Sequence, residues 1–199
     1  MKTLPALAAI LIAASSAAFS APQIGSPAPD ISATDTHGKT QTLSQYKGKF
    51  VVLEWTNPDC PFVHKQYDSG TMQKLQKEYT AKGVVWLSIN SSAAGNQGSY
   101  APEKWNEIVK QRGASPTAVL LDPNGKIGHE YEAKTTPHIF IVNPDGKLIY
   151  EGAIDSIRSP DPADIPKATN YVRATLDEAM AGKPVTTPVT QPYGCGVKY

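Results

Sequence analysis

The sequence predicts an α/β domain with a mixed central sheet flanked by helices, an N-terminal hairpin extension and an extended C-terminal tail. Three observations predict it. Short apolar runs at residues 50–55, 84–89 and 117–121 alternate with helix-compatible stretches, as strands joined by helical crossovers do. Two more runs, 139–142 and 148–153, flank the turn Asn143-Pro144-Asp145-Gly146 and read as a hairpin, which makes the sheet mixed. Residues 168–181 return to helical spacing and stop at Gly182, after which Pro, Thr and Val dominate.

In chain order, residues 23–30 read as an extended arm. Residues 31–43 read as a small hairpin turning at Thr36-His37-Gly38-Lys39, where His37 is a turn residue. A second turn, Tyr46-Lys47-Gly48-Lys49, leads into the run at 50–55. Helical spacing over 61–82 puts Phe62, Tyr67, Met72, Leu75 and Tyr79 on one face, with Ser69-Gly70 marking a kink or break. Residues 90–101 form a Ser/Gly/Asn-rich loop, and 102–112 a short helix opening at Pro102 and stopped by Gly113. After the turn Asp122-Pro123-Asn124-Gly125, residues 127–134 suit a short irregular helix, and 155–166 a Pro/Asp-rich loop. There is no internal repeat.

Length and charge narrow the function. At 199 residues the chain is one domain with additions. A net charge of +1 gives no electrostatic case for nucleic acid or a membrane surface. Met1-Lys2, the apolar run 4–14 and Ala18-Phe19-Ser20 fit a signal peptide over 1–20, with the domain at 21–181 and a tail at 182–199. The apolar run is shorter than the roughly 20 residues of a membrane span, so no membrane association is expected after cleavage. The reading is periplasmic or secreted, a compartment in which the two cysteines, Cys60 and Cys195, can pair.

Residues 50–65 organise the chain. A strand breaks at Asn57-Pro58-Asp59 and restarts as a helix at Cys60-Pro61. Pro favours the first helical position, which makes Cys60 the capping residue, where free N–H groups and the helix dipole favour a thiolate. Asp59 opposes this through its charge. A buried structural cysteine is the alternative.

With these elements in place, the chain resembles the thioredoxin superfamily, and within it the peroxiredoxin-like (alkyl hydroperoxide reductase/thiol-specific antioxidant, redoxin-type) branch. The resemblance runs from about Ile24 to Ala181. It rests on Gly25-Ser26-Pro27-Ala28-Pro29-Asp30, on the run from Gly48 through Trp55, on Thr136-Pro137 before a strand, and on Asn143-Pro144-Asp145-Gly146-Lys147. It implies a thioredoxin-like fold with Cys60 as attacking thiol and Thr136-Pro137 as the Thr-cis-Pro against which partner chains dock. Val63 stands where the second cysteine of Cys-x-x-Cys belongs. In the peroxidatic pattern, Asn57 takes the hydroxyl position and Leu53 the Pro position, while the peroxidatic cysteine itself aligns with Val63.

The second thiol is sought in the tail. In an extended conformation residues 182–191 span roughly 30 Å, enough to cross the domain. Glycines flank Cys195 and permit close backbone approach. The tail is thus expected to fold back and set Cys195 against Cys60, as a cycling pair or as a fixed staple worth about 5 kcal/mol. A solvated tail with an incidental cysteine is the alternative. His64, one helical turn after Cys60, is a tuning group or, with the two cysteines, a soft-metal ligand. Glu54 is either a buried proton relay or a solvated strand end, Trp55 is wall and core, and His138 is a packing residue.

The leading expectation is an exported thiol–disulfide oxidoreductase, with Cys60 attacking and Cys195 resolving, Thr136, Pro137, Glu54, Trp55 and His64 in support, no cofactor and no metal. Its partners would be protein or small-molecule thiols and disulfides. A thiol peroxidase acting on peroxides is the second reading. A non-catalytic binding module, with a structural disulfide or a metal, is the third.

Overall fold

The computed structural model describes residues 22–199, so the signal-peptide reading of 1–20 lies outside the described residues. The five-stranded sheet is built from β3 (Val51–Trp55), β4 (Val85–Asn90), β5 (Ala118–Leu121), β7 (His138–Val142) and β8 (Leu148–Gly152). Their spatial order is β5-β4-β3-β7-β8. β3 runs parallel to β4 and antiparallel to β7; β4 and β5 are parallel, and β7 and β8 form the expected hairpin. The sheet is mixed, in a thioredoxin-like arrangement.

Every residue of β3, β4 and β7 is buried, because helices and loops cover both faces. Alternation along β3 splits the core in two. Leu53 and Trp55 join Tyr131, Phe140 and Leu120 on one face, while Val52 faces Val63, Met72, Leu75, Tyr79 and Trp86 on the other.

The predicted helix over 61–82 is two helices, α1 (Pro61–Asp68) and α2 (Thr71–Ala81). The break falls at Ser69-Gly70, and Gly70 takes a left-handed φ of +73° that ends one helix and starts the next. α3 (Pro102–Arg112) stops at Gly113 with φ +60°, as its sequence dictates. α4 (Lys126–Glu130) is the short helix expected there, and α5 (Tyr171–Met180) is capped by the Asn170 side chain, which accepts from the Arg173 N–H. The Pro/Asp-rich loop contains a 3-10 turn over Pro162–Lys167. The N-terminal hairpin pairs β1 (Ser32–Thr34) with β2 (Thr40–Thr42). Among the described residues no helix is long and apolar enough to cross a membrane.

The tail is pinned along its course. Thr190 donates its N–H to the Glu151 carbonyl, and its hydroxyl accepts from the Ala153 N–H. Gly152 makes this approach possible, since a Cβ there would lie 2.1 Å from Thr190 Oγ1. The chain then crosses to β6 (Thr135–Thr136), where β9 (Cys195–Gly196) pairs with it antiparallel, Thr136 opposite Cys195.

Candidate active site

Two loops and the tail meet at Cys60. The strand β3 delivers the chain to the sheet edge, and the Asn57 side chain shapes the turn by accepting from the Asp59 N–H and donating to the Gln97 carbonyl. Cys60 then caps α1 with Pro61 at the first helical position, as the sequence requires. Its backbone carbonyl accepts from the Val63 and His64 N–H groups. Its sulfur makes no capping bond to the helix. It turns instead toward the Thr136 carbonyl and Cys195 of the tail.

Opposite Cys60 the Thr136–Pro137 peptide bond is cis. That geometry places the Thr136 carbonyl oxygen 3.0 Å from Cys60 Sγ. Cys195 Sγ lies 2.8 Å from Cys60 Sγ, and both are free thiols. Cys60 itself has no exposed surface, and Cys195 of the tail packs against its core cluster.

The two thiols are unequal. Burial pushes Cys60 up, but hydrogen bonding, first of all with Cys195, outweighs it and leaves Cys60 below the ordinary thiol value. For Cys195 burial comes first, then the hydrogen bond and charge of Cys60, and together they push it up to about 11. The hydrogen bond between the two sulfurs thus favours the thiolate at Cys60 and the thiol at Cys195.

Glu54 is fully buried, which removes the solvated alternative. It accepts from Tyr67 Oη (3.0 Å), Trp86 Nε1 (2.7 Å), Ser88 Oγ (3.0 Å) and Gln76 Nε2 (3.4 Å). Burial raises its carboxyl above the usual range, and these four donors pull it back. Trp55 is core, edge-on to Phe140 with its indole N–H on Ser91 Oγ. His138 is likewise a packing residue: it is buried against Phe140, its Nδ1 accepts from the Lys134 N–H, and burial pushes it down to about 3.

His64 stands apart from this group. Its Nδ1 is 3.3 Å from Asp68 Oδ2, and 47% of its side chain is exposed, so its near partner is a carboxylate rather than either sulfur. Among the described residues no three His, Cys, Asp or Glu side chains converge as a metal site would require. Asp59 is engaged by the Tyr100 hydroxyl at 2.8 Å. Asn57, in the hydroxyl position of the peroxidatic pattern, spends its amide on the turn.

Sequence reasoning missed the buried ion pair behind the tail. Lys65 Nζ, on α1, lies 3.1 Å from Asp155 Oδ1, 2.7 Å from the Ile157 carbonyl and 3.1 Å from Tyr193 Oη. All three ammonium protons are thereby satisfied, the third by the tail. A lysine on a helix ordinarily reads as solvated, so nothing local betrayed this one. The available signal was Tyr193 itself, a large aromatic two residues before Cys195.

Comparison with known proteins agrees with this architecture. The chain is 28% identical over 125 residues to the thiol-disulfide oxidoreductase ResA of Bacillus subtilis (strain 168), covering 63% of this chain and 64% of that protein's length. It is similar to the crystal structure of a hypothetical protein from Sinorhizobium meliloti 1021, with 25% identity and a TM-score of 0.75, over 90% of this chain and 96% of that one. An uncharacterized conserved protein from Geobacillus kaustophilus gives 28% identity and a TM-score of 0.73, over 89% of this chain and 92% of that one. The AhpC/TSA family model matches residues 24–151, the span from the N-terminal arm through the central sheet and both loops that face Cys60, and the chain belongs to that family.

Proposed function

We propose that this chain is an exported thiol–disulfide oxidoreductase in which Cys60 is the attacking thiol and Cys195 the resolving one. The observation that carries the reading is the pair itself: two free thiols 2.8 Å apart, with Cys60 lowered and Cys195 raised to about 11. The similarity to ResA of Bacillus subtilis supports the reaction class. The signal-like residues 1–20 support export, where a reversible disulfide can persist.

The chemistry balances as two exchanges. The Cys60 thiolate attacks one sulfur of a substrate disulfide; the Cys60–substrate bond forms, the substrate S–S bond breaks, and the other substrate sulfur leaves as a thiolate. Cys195 then gives up its proton and attacks Cys60 Sγ. The Cys60–Cys195 bond forms and the second substrate thiolate departs. The substrate gains two electrons, the dithiol becomes a disulfide, and an external dithiol must restore it. Glu54 supports the site from within β3: its four hydrogen-bond partners are Tyr67, Trp86, Ser88 and Gln76 and neither sulfur, so the proton of the resolving step goes to solvent. Thr136 and Pro137 hold the docking edge, Trp55 sets the wall behind them, and His64 lies outside the reacting group.

An insulin-reduction assay with dithiothreitol tests this. Cys60→Ser should lower the rate about a thousandfold or more, as expected for loss of a nucleophile. Cys195→Ser should accumulate a Cys60 mixed disulfide visible by mass spectrometry. A Cys195→Ser protein that turns over at the wild-type rate without such an adduct would remove the resolving role.

A further inference from the structure

The tail does more than bring a thiol to Cys60: it fills the groove beside it residue by residue. Beyond Cys195 itself, its fit has three independent parts. Its backbone adds a two-residue strand to β6, whose ladder partner among the described residues is this tail. Tyr193 is 5% exposed; its ring sits edge-on to Phe62 at 5.9 Å, with Lys65 Nζ 5.4 Å from the ring centre and 3.1 Å from its hydroxyl. Gly194 has φ +147°, and a Cβ there would lie 2.1 Å from the Thr136 carbonyl oxygen. Gly196, by contrast, has open space within 4 Å of a Cβ.

These features define positions around the reacting cysteine. The residue two before it enters a pocket with an aromatic wall and a buried ammonium at its floor. The residue just before it has no room for a side chain. The residue after it is unrestricted. Lys65 has no exposed side-chain surface and is paired with Asp155, so a pocket left without a hydroxyl leaves a buried N–H donor unsatisfied. Cys60 has no exposed surface and Cys195 lies against its sulfur, so an outside polypeptide reaching that sulfur meets the tail in the same groove.

We propose that the Phe62–Lys65 pocket beside this docking edge sets a sequence preference, selecting an extended partner segment with tyrosine two residues before its cysteine and glycine between them. Residues 193–196 are its resident intramolecular occupant. That such a segment is a substrate rests on Cys60 acting as the attacking thiol; that it binds does not.

The test is therefore non-covalent. A fluorescently labelled peptide, Pro-Tyr-Gly-Ser-Gly, is titrated against full-length protein carrying Tyr193→Ala and Cys195→Ser, with binding read by anisotropy. Replacing the peptide Tyr by Ala should weaken binding about tenfold or more, because the pocket loses both its ring contact and its hydroxyl. Replacing the Gly before Ser by Val should weaken it about tenfold or more, and replacing the Gly after Ser by Val should change it less than about threefold. With Tyr193 intact, the resident tail should compete and lower the affinity about tenfold or more. Four peptides binding within twofold of one another, no binding at all, or an affinity indifferent to Tyr193 would each overturn the proposal. An unreactive Cys60 in the insulin assay alongside selective peptide binding would overturn the exchange reading alone.

Discussion

The surroundings of Cys60 and of Cys195 are built in opposite ways. Cys60 is fixed by its neighbours in sequence: a buried strand ends, Asn57 shapes a turn, and Pro61 starts a helix. Cys195 is fixed by contacts with distant parts of the chain, beginning with its own pairing to Thr136 in β6. It is held because Thr190 is tied to β8, Tyr193 fills a pocket over Lys65, and Tyr199 stacks on His129 at 4.0 Å with its hydroxyl on the Ala133 carbonyl. Two anchored tyrosines bracket the cysteine. A locally determined thiol is in place once the helix forms, whereas the position of Cys195 depends on every tertiary contact that docks the tail.

Breaking the floor of the tail pocket should show the largest effect. Asp155→Ala leaves Lys65 buried without its counter-charge, and Asp155 also accepts from the Gln66 amide and the Ile157 N–H. A loss of about 3–5 kcal/mol in urea unfolding is expected. A loss under about 1 kcal/mol would mean that the pair is not sealed from water. Next, Tyr193→Ala should unseat the tail without touching the sheet, and iodoacetamide should then label Cys60 in the reduced protein about tenfold faster. Unchanged labelling would place the hold on Cys195 elsewhere.

Proton sharing sharpens the contrast further. Cys60 is lowered in the docked tail, so its contribution to docking is full above the ordinary thiol value near 9 and fades as pH falls through its docked value. Cys195 is raised to about 11, so its contribution is full below 9 and is lost as pH rises from there toward 11. Tail docking in the dithiol form should be tightest near pH 9 and weaken on both sides. NMR of 13Cβ-labelled cysteine checks this, since the first ionisation should fall on Cys60 and the second, near 11, on Cys195. Two titrations at the same pH would erase the asymmetry. The smallest effect is expected from Tyr199→Ala, about a threefold gain in Cys60 labelling, because Ala93 and Asn96 still hold the Lys198 carbonyl.

The same contrast explains what was legible in the sequence. The strand runs, the Gly70 break, the Gly113 stop and the Cys60–Pro61 cap are short-range signals, and each stands where the residues put it. The return of the tail was legible from its length, its extended composition and its solitary cysteine. Its path was not, because it depends on Gly152 making room for Thr190 and on a buried Lys65 waiting for a hydroxyl. Glu54 shows the same limit: a carboxylate in a strand reads either way until Trp86, Tyr67, Ser88 and Gln76 converge on it from three other elements. His64 met the spacing rule for a neighbour of Cys60 but found Asp68, one further turn along the same face, first.

The central claim is that Cys60 and Cys195 form a couple that opens and closes. Equilibrating the full-length protein across a series of redox buffers, trapping free thiols and locating the label by mass spectrometry tests it directly. The account predicts one two-electron transition in which Cys60 and Cys195 lose their labels together, with a potential between about −120 and −270 mV, the span of known exchange proteins. A bond that stays closed below about −300 mV would make the pair a fixed staple, and a bond that never forms would leave the tail without a redox role.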